Sequence, residues 1–343
     1  MFLLVLYGKI LYDIRTIKRN GMMNEVGVGS MAEFKIVDVI IPVCMPDERT
    51  VQSVKRLLKQ TYPLNRIYLI HTEKGMFPKE LETLSEKIHI THIRPEQFDH
   101  GGTRHQGAMM SHADFLLYMT QDALPVGEKL VENLMTAFED EKVGAAYARQ
   151  LPAADGSNIE RFTRTFNYPP ESRVKSETDL PGLGIKTYFC SNVCAAYRKS
   201  VYMSLGGFES KVIFNEDMIM AGRIIQSGYK VAYIAAAQVI HSHHDKCLRL
   251  FKRNFDLAVS QVEHPEIFEG IRSESEGLRL VKQTARYLLK SGRPWEIVIL
   301  LLQSGFKYAG YRLGRNYRRL PRCVIMRCTL NPGYWSAKKE KID

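Results

Sequence analysis

Residues 115–125 read Phe-Leu-Leu-Tyr-Met-Thr-Gln-Asp-Ala-Leu-Pro, and this stretch decides how the rest of the chain is arranged. The apolar run 115–119 predicts a short buried strand, and Pro125 ends its ladder. A buried parallel strand delivers the residues after its C-terminal end to the crevice where open α/β sheets bind ligands. Asp122 therefore stands where a carboxylate could hold a divalent cation against a diphosphate. Taken alone, Asp122 reads equally as the cap of a following helix whose body begins near Val126.

On both sides of this strand, apolar runs alternate with helical periodicity. Residues 35–44 (KIVDVIIPVC) predict a first strand closed by Pro42. A helix over 50–60 follows, with Val51, Val54, Leu57 and Leu58 on one face. Strands over 66–71 and 88–93, a helix over 103–114, a helix over 127–139 and a strand over 143–148 continue the pattern. Such alternation predicts a three-layer, Rossmann-like α/β sheet with right-handed crossovers. No Gly-x-Gly-x-x-Gly follows the first strand, which argues against nicotinamide or flavin chemistry. The polar span 158–184 predicts a long surface loop. Beyond it come a strand over 187–197, a short helix over 198–205 and a helix entered through 213–217. A last strand spans 229–235.

The 343 residues carry a formal charge of +11, which calls for an anionic partner. The basic residues concentrate in the tail, and no nucleic-acid-binding motif accompanies them. Six cysteines include no Cys-x-x-Cys pair, so neither a zinc ribbon nor a disulfide framework is expected. Reduced thiols fit a cytoplasmic protein. Residues 1–34 predict a peripheral extension, whose short apolar start lacks the features of a signal peptide. Residues 35–247 form the catalytic α/β unit in this division, and 248–343 a basic helical region. Helices over 278–290 and 295–311 are amphipathic, with Trp295 at an edge and an apolar centre too short to cross a bilayer. They suit an anionic membrane surface, or a helical tail packed on the sheet with a solvated basic face.

Several short motifs occur in order: Phe98-Asp99-His100-Gly101-Gly102-Thr103-Arg104, Thr120-Gln121-Asp122-Ala123 and Arg149-Gln150-Leu151-Pro152. Phe166-Asn167-Tyr168-Pro169, Phe189-Cys190-Ser191-Asn192-Val193-Cys194 and Gly206-Gly207-Phe208 follow. Asn215-Glu216-Asp217 and His241-Ser242-His243 complete the series. Together they resemble the bacterial rhamnosyltransferases of family 2, the GT-A-fold glycosyltransferases. The resemblance runs from about Val37 to about Arg319. It implies a mixed, mostly parallel GT-A sheet with a C-terminal amphipathic helical extension. It also implies inverting transfer of L-rhamnose from dTDP-L-rhamnose to a saccharide acceptor, commonly a lipid-linked precursor of a surface polysaccharide. The enzyme would then sit peripherally on the inner face of the cell membrane. Other outcomes are a UDP-sugar donor on the same fold, or a non-catalytic, membrane-associated binding module.

The resemblance also assigns roles. Asp217 is the general base and Glu216 orients acceptor or sugar; either acid also suits a helix N-terminus. Asp122 and His243 are candidate ligands of Mg²⁺ or Mn²⁺, with His241 or His244 able to replace His243. The family's usual Asp-x-Asp is Thr120-Gln121-Asp122 here, so only one carboxylate is present. Glu73 takes the place of an Asp expected to hold the base, and the loop from Pro42 borders the nucleotide. Arg104, in the turn that opens a helix, suits phosphate. Ser191 and Asn192, at a strand's end, could hydrogen-bond the sugar. The span carrying Arg161, Arg164, Asn167 and Tyr168 shapes the acceptor side.

Overall fold

The computed structural model describes residues 35–242, 245–271 and 274–339. The 1–34 extension and His243 lie outside the described residues. Strand β1 (Val37–Cys44) runs through Pro42, which pairs in register with Ile70, rather than ending there. Asp47 then starts α1 (Glu48–Leu57) through a reciprocal capping box with Thr50. β1 sends Val39, Ile41 and Val43 to the sheet face that receives Val51, Val54 and Leu57 of α1. Ile40 points to the opposite face, with Ile70 and Ala108. This is the period-two division of a strand buried on both sides.

β2 (Leu64–Thr72) and β3 (Ile88–Ile93) extend the parallel sheet outward. After α2 (His100–Met110), β4 (Phe115–Met119) pairs with the other edge of β1. The chain then turns at Asp122, and β5 (Leu124–Pro125) bonds to the last strand before α3 (Leu130–Met135) begins. The helix expected from about 126 therefore starts later. Val126 N–H donates to Gln238 O at 2.9 Å, and Gly127 has φ +77°, a left-handed turn that holds the chain on the sheet. Asp122 is not a helix cap; Lys129 holds that position.

β6 (Val143–Leu151) leads into the span expected to be a loop. It contains α4 (Asn158–Asn167) and the short β7 (Arg173–Lys175). Ser157 caps α4 by accepting from Glu160 N at 3.2 Å. Ser157-Asn-Ile-Glu160 is the Ser-x-x-Glu start signature, hidden by its polar surroundings. The strand expected over 187–197 is confined to β8 (Cys194–Arg198). Cys194 N–H closes a turn on Ser191 O at 3.2 Å, so Ser191 and Asn192 precede the strand rather than end it.

α5 (Lys199–Ser204), α6 (Glu216–Gln226) and β9 (Lys230–Ile240) complete the sheet. Among the described residues the order is β3-β2-β1-β4-β8-β6-β9-β5, with β7 on the outer edge of β9. β8 runs antiparallel between β4 and β6, while β1 to β4 and the β6–β9 pair are parallel. The result is the mixed, mostly parallel three-layer sheet.

Further helices follow. α7 (Cys247–Glu263) is crossed by α9 (Glu296–Arg315), and α8 (Glu274–Lys290) packs beside α9 and α4. α10 (Arg322–Cys328) and α11 (Pro332–Lys339) fold back on α7. Buried Asp256 of α7 anchors this return by accepting from Thr329 Oγ1 at 2.6 Å and Leu330 N at 2.8 Å.

The α7–α9 crossing depends on two glycines. A Cβ at Gly310 would lie 2.1 Å from Phe251 O, and one at Gly314 would lie 2.3 Å from Phe255 O. Backbone cannot yield there as a flexible side chain can. Gly310→Ala is expected to destabilise the fold by about 1–3 kcal/mol through overpacking, measured by urea unfolding. An unchanged midpoint would show that the helices do not need this approach.

Candidate active site

The N-terminal end of α6 is built from an unusual start. Asn215 caps it in the left-handed region, φ +66°, a conformation that asparagine tolerates better than most residues. Its buried amide donates to Leu257 O at 3.3 Å, so α7 holds the turn. Glu216 and Asp217 then occupy the first helical turn, where the macrodipole favours carboxylates.

The two acids meet different surroundings. Glu216 faces Arg104 of α2 across a buried ion pair, Oε1 to Nη1 3.2 Å. The two side chains are only 10% and 8% exposed. Burial pushes the Glu216 carboxyl up, but Arg104 and His100 outweigh it and leave the carboxyl low. Asp217 is pushed up to about 7, first by burial and then by the charge on Glu216. Two backbone amides, Asn192 N at 3.1 Å and Met218 N at 2.8 Å, hold its oxygens and moderate the rise. One carboxylate thus stays charged while its neighbour exchanges a proton near neutrality, the division of labour that acid–base sites use.

Asn192 joins the pair. Its side-chain amide donates to Glu216 Oε1 at 3.3 Å, its backbone donates to Asp217, and its carbonyl oxygen accepts from Tyr197 OH at 3.0 Å. Asn192 therefore positions both carboxylates from the turn before β8.

A second polar chain crosses the strand ends. His241 Nε2 lies 3.4 Å from Asp122 Oδ2. Its Nδ1 is 3.2 Å from Gln150 Oε1 and 3.3 Å from Arg164 Nη2. Gln150 donates onward to Ser191 Oγ at 2.9 Å and accepts from Arg164. Asp122, His241, Gln150, Arg164 and Ser191 thus form one network over β4, β6 and β9. Gln150 carries no assigned role in the sequence motif Arg-Gln-Leu-Pro; its place at the end of β6, where ligands bind, is the signal that points to it.

A cavity of about 700 Å³ unites Asp217, Glu216, Asn192, Ser191, Arg164 and His241. Gln121, Pro42 and Glu73 sit apart from its lining, whereas Arg104 is part of it. Gln121 makes two hydrogen bonds to the Cys44 main chain, accepting from N at 2.7 Å and donating to O at 3.0 Å. It clamps β1 to the turn after β4. Pro42 is inside β1, and Glu73 is exposed beyond β2. Arg104 lies in the second turn of α2, not its first, and serves as the counter-ion of Glu216.

The donor set at Asp122 suits a hard divalent cation that also binds substrate oxygens: one carboxylate beside an imidazole. Among the described residues no group of three or more His, Cys, Asp or Glu side chains converges. A cation here would take its remaining ligands from a bound diphosphate or water.

Arg104→Met would leave Glu216 buried without its counter-charge. It is expected to cost about 3–5 kcal/mol in urea unfolding. A loss below about 1 kcal/mol would mean that Glu216 simply takes up a proton or finds another partner.

Residues 38–206 match the family Glycosyl transferase family 2. The O-antigen chain rhamnosyltransferase WbaN of Salmonella anatum is 41% identical over 248 residues, 71% of this chain and 78% of WbaN. RfbN of Salmonella typhimurium, another O-antigen chain rhamnosyltransferase, is 40% identical over 304 residues, 88% of this chain and 96% of RfbN. Among solved structures, mannosyltransferase PcManGT from Pyrobaculum calidifontis, in complex with GDP-Man and Mn²⁺, aligns with a TM-score of 0.55. It shares 13% identity, with 94% of each chain covered, a likeness of fold. With this sheet and this helical C-terminal region, the chain is a GT-A glycosyltransferase and belongs to the bacterial rhamnosyltransferases of glycosyl transferase family 2.

Proposed function

We propose that the protein transfers L-rhamnose, with inversion, from dTDP-L-rhamnose to a lipid-linked saccharide of O-antigen type. The observation that carries the chemistry is the buried Asp217 carboxyl, raised to about 7 beside Glu216 and facing the cavity. The acceptor hydroxyl gives its proton to Asp217 as its oxygen attacks the anomeric carbon. The bond to the diphosphate breaks, and dTDP leaves with the electron pair. A Mg²⁺ or Mn²⁺ ion held by Asp122 and a histidine, His243 or the adjacent His241, would neutralise charge on that leaving group. Arg104 and Asn192 keep Glu216 charged and both carboxylates in place. Rhamnose and O-antigen enter this reading from the names of WbaN and RfbN.

Asp217→Asn is expected to lower transfer about 10²–10⁴-fold while dTDP binding stays near that of the wild type. Below the Asp217 pKa the base is protonated, so kcat/KM should fall as pH drops through about 7 and level off above it. Wild-type activity that ignores pH between 5.5 and 8, with an active Asp217→Asn, would remove Asp217 from the role. Turnover with UDP-sugars alone would keep the base and overturn the rhamnose assignment.

We further infer a peripheral membrane position on the cytoplasmic side. Among the described residues no helix is long and apolar enough to cross a membrane. α9 nonetheless exposes Trp295 (64%), Val298 (70%), Leu301 and Leu302 along one side. Exposed Arg286, Lys290 and Arg293 come just before this stripe in the chain. Apolar side chains combined with cations match an anionic bilayer. Replacing the three cations by Gln should weaken binding to phosphatidylglycerol vesicles by roughly 3 kcal/mol, about a hundredfold, at low salt. Binding that neither salt nor these substitutions weakens would reject an electrostatic bilayer contact.

A further inference from the structure

The C-terminal helices do more than present an outer face. Gln303 and Lys307 of α9 line the same cavity as Asp217. Their four-residue spacing puts them on one side of the helix, away from Val298, Leu301 and Leu302. Arg253 of α7 and Arg164 of α4 line the cavity with them.

Charge matching separates these cations. Arg104 pairs with Glu216 at 3.2 Å, and Arg164 reaches Glu160 at 4.0 Å. Arg253 stands 3.9 Å from Asp245, but Arg249 already holds that carboxylate at 2.9 Å. The Arg253 guanidinium lies over the Phe214 ring at 5.5 Å. Lys307 has no carboxylate within 4.0 Å and no hydrogen-bond partner among the described residues, although it is half-buried. An ammonium withdrawn from water without a partner is costly. Burial and then the neighbouring Arg253 push its pKa down, and the charge on Asp245 offsets this only in part, so an arriving anion would complete the balance.

We propose that Lys307 and Arg253 form a phosphate subsite in the active-site cavity, built by the C-terminal helices, that takes the diphosphate of a substrate. The inference rests on the preceding reading that the substrates carry diphosphates. Two sources share this chemistry: the donor nucleotide, and the lipid diphosphate that carries the acceptor. The same helix presents the subsite on one side and the bilayer-matching stripe on another, which places a lipid-linked headgroup within its natural reach.

The direct probe is inorganic pyrophosphate, titrated calorimetrically into the full-length protein without metal. Lys307→Met should weaken binding about 10- to 100-fold, the effect of losing one charge-assisted contact. Lys307→Arg should keep most of it. Because this readout needs no turnover, it stands even if the donor is not dTDP-L-rhamnose. Thermal melting of each variant separates a lost site from a lost fold.

Steady-state kinetics then identify the source. An increase in KM for the lipid-diphosphate acceptor, absent for the same saccharide without its diphosphate, assigns the subsite to the acceptor. An increase in KM for the nucleotide sugar alone assigns it to the donor. Both results support the subsite. Pyrophosphate affinity and both KM values unchanged in a folded Lys307→Met/Arg253→Met protein would overturn it.

Discussion

The buried Arg104–Glu216 ion pair is the interaction on which the arrangement of the two acids at the start of α6 depends. Without it, two adjacent buried carboxylates would compete for one proton with little to keep Glu216 the charged one. Arg104 breaks the symmetry. It keeps Glu216 charged, and that charge, added to burial, raises the proton affinity of Asp217. The pair also joins α2 to α6 on one face of the sheet, so the acid pair and the fold draw on one contact. Asn192 donates to both acids, and Tyr197 orients Asn192 from inside β8.

The antiparallel placement of β8 follows from the same requirement. Ser191 and Asn192 must reach the strand ends of β4, β6 and β9 before the chain enters the sheet. A parallel β8 would enter from the other end and carry that turn away from Asp217. The tight turn from Ser191 to Cys194 leads the chain into β8 from that end instead. The α6 start is constrained in the same way: Asn215 adopts a left-handed backbone, and α7 binds its side chain. A helix of the C-terminal region therefore supports the acid pair directly.

Much of the sheet was legible because its signals are local. The apolar runs of β1, β3 and β4 are bounded within a residue or two by their own sequence, and Glu216-Asp217 at a helix start follows from the apolar residues before it. What lay beyond reading is what depends on remote partners. Nothing near Arg104 names Glu216 as its counter-ion. Nothing near Gln121 says that its amide closes on the Cys44 backbone. α4 was hidden because its polar and aromatic residues face a cavity and neighbouring helices rather than one continuous core. Lys307 was indistinguishable from the other basic residues of an amphipathic tail, since periodicity shows that a helix has sides but not what each side meets.

Gln121 also bears on how negative charge is balanced. A carboxylate at its position would face the Cys44 carbonyl, an unfavourable neighbour, and would lose the hydrogen bond that the amide donates to it. The clamp therefore favours Gln at 121, and with Thr120 where the usual motif has its first Asp, Asp122 is the single acid of the turn. One carboxylate repels a bound diphosphate less than two would, but it also holds a dication less firmly. Cations of the protein must then carry a larger share of the attraction. Arg164 supplies charge beside His241, and the C-terminal helices bring Arg253 and Lys307 to the same cavity. On this argument the lone acid at the strand end and the basic helices are two halves of one electrostatic arrangement, and a change at either half shifts the demand on the other.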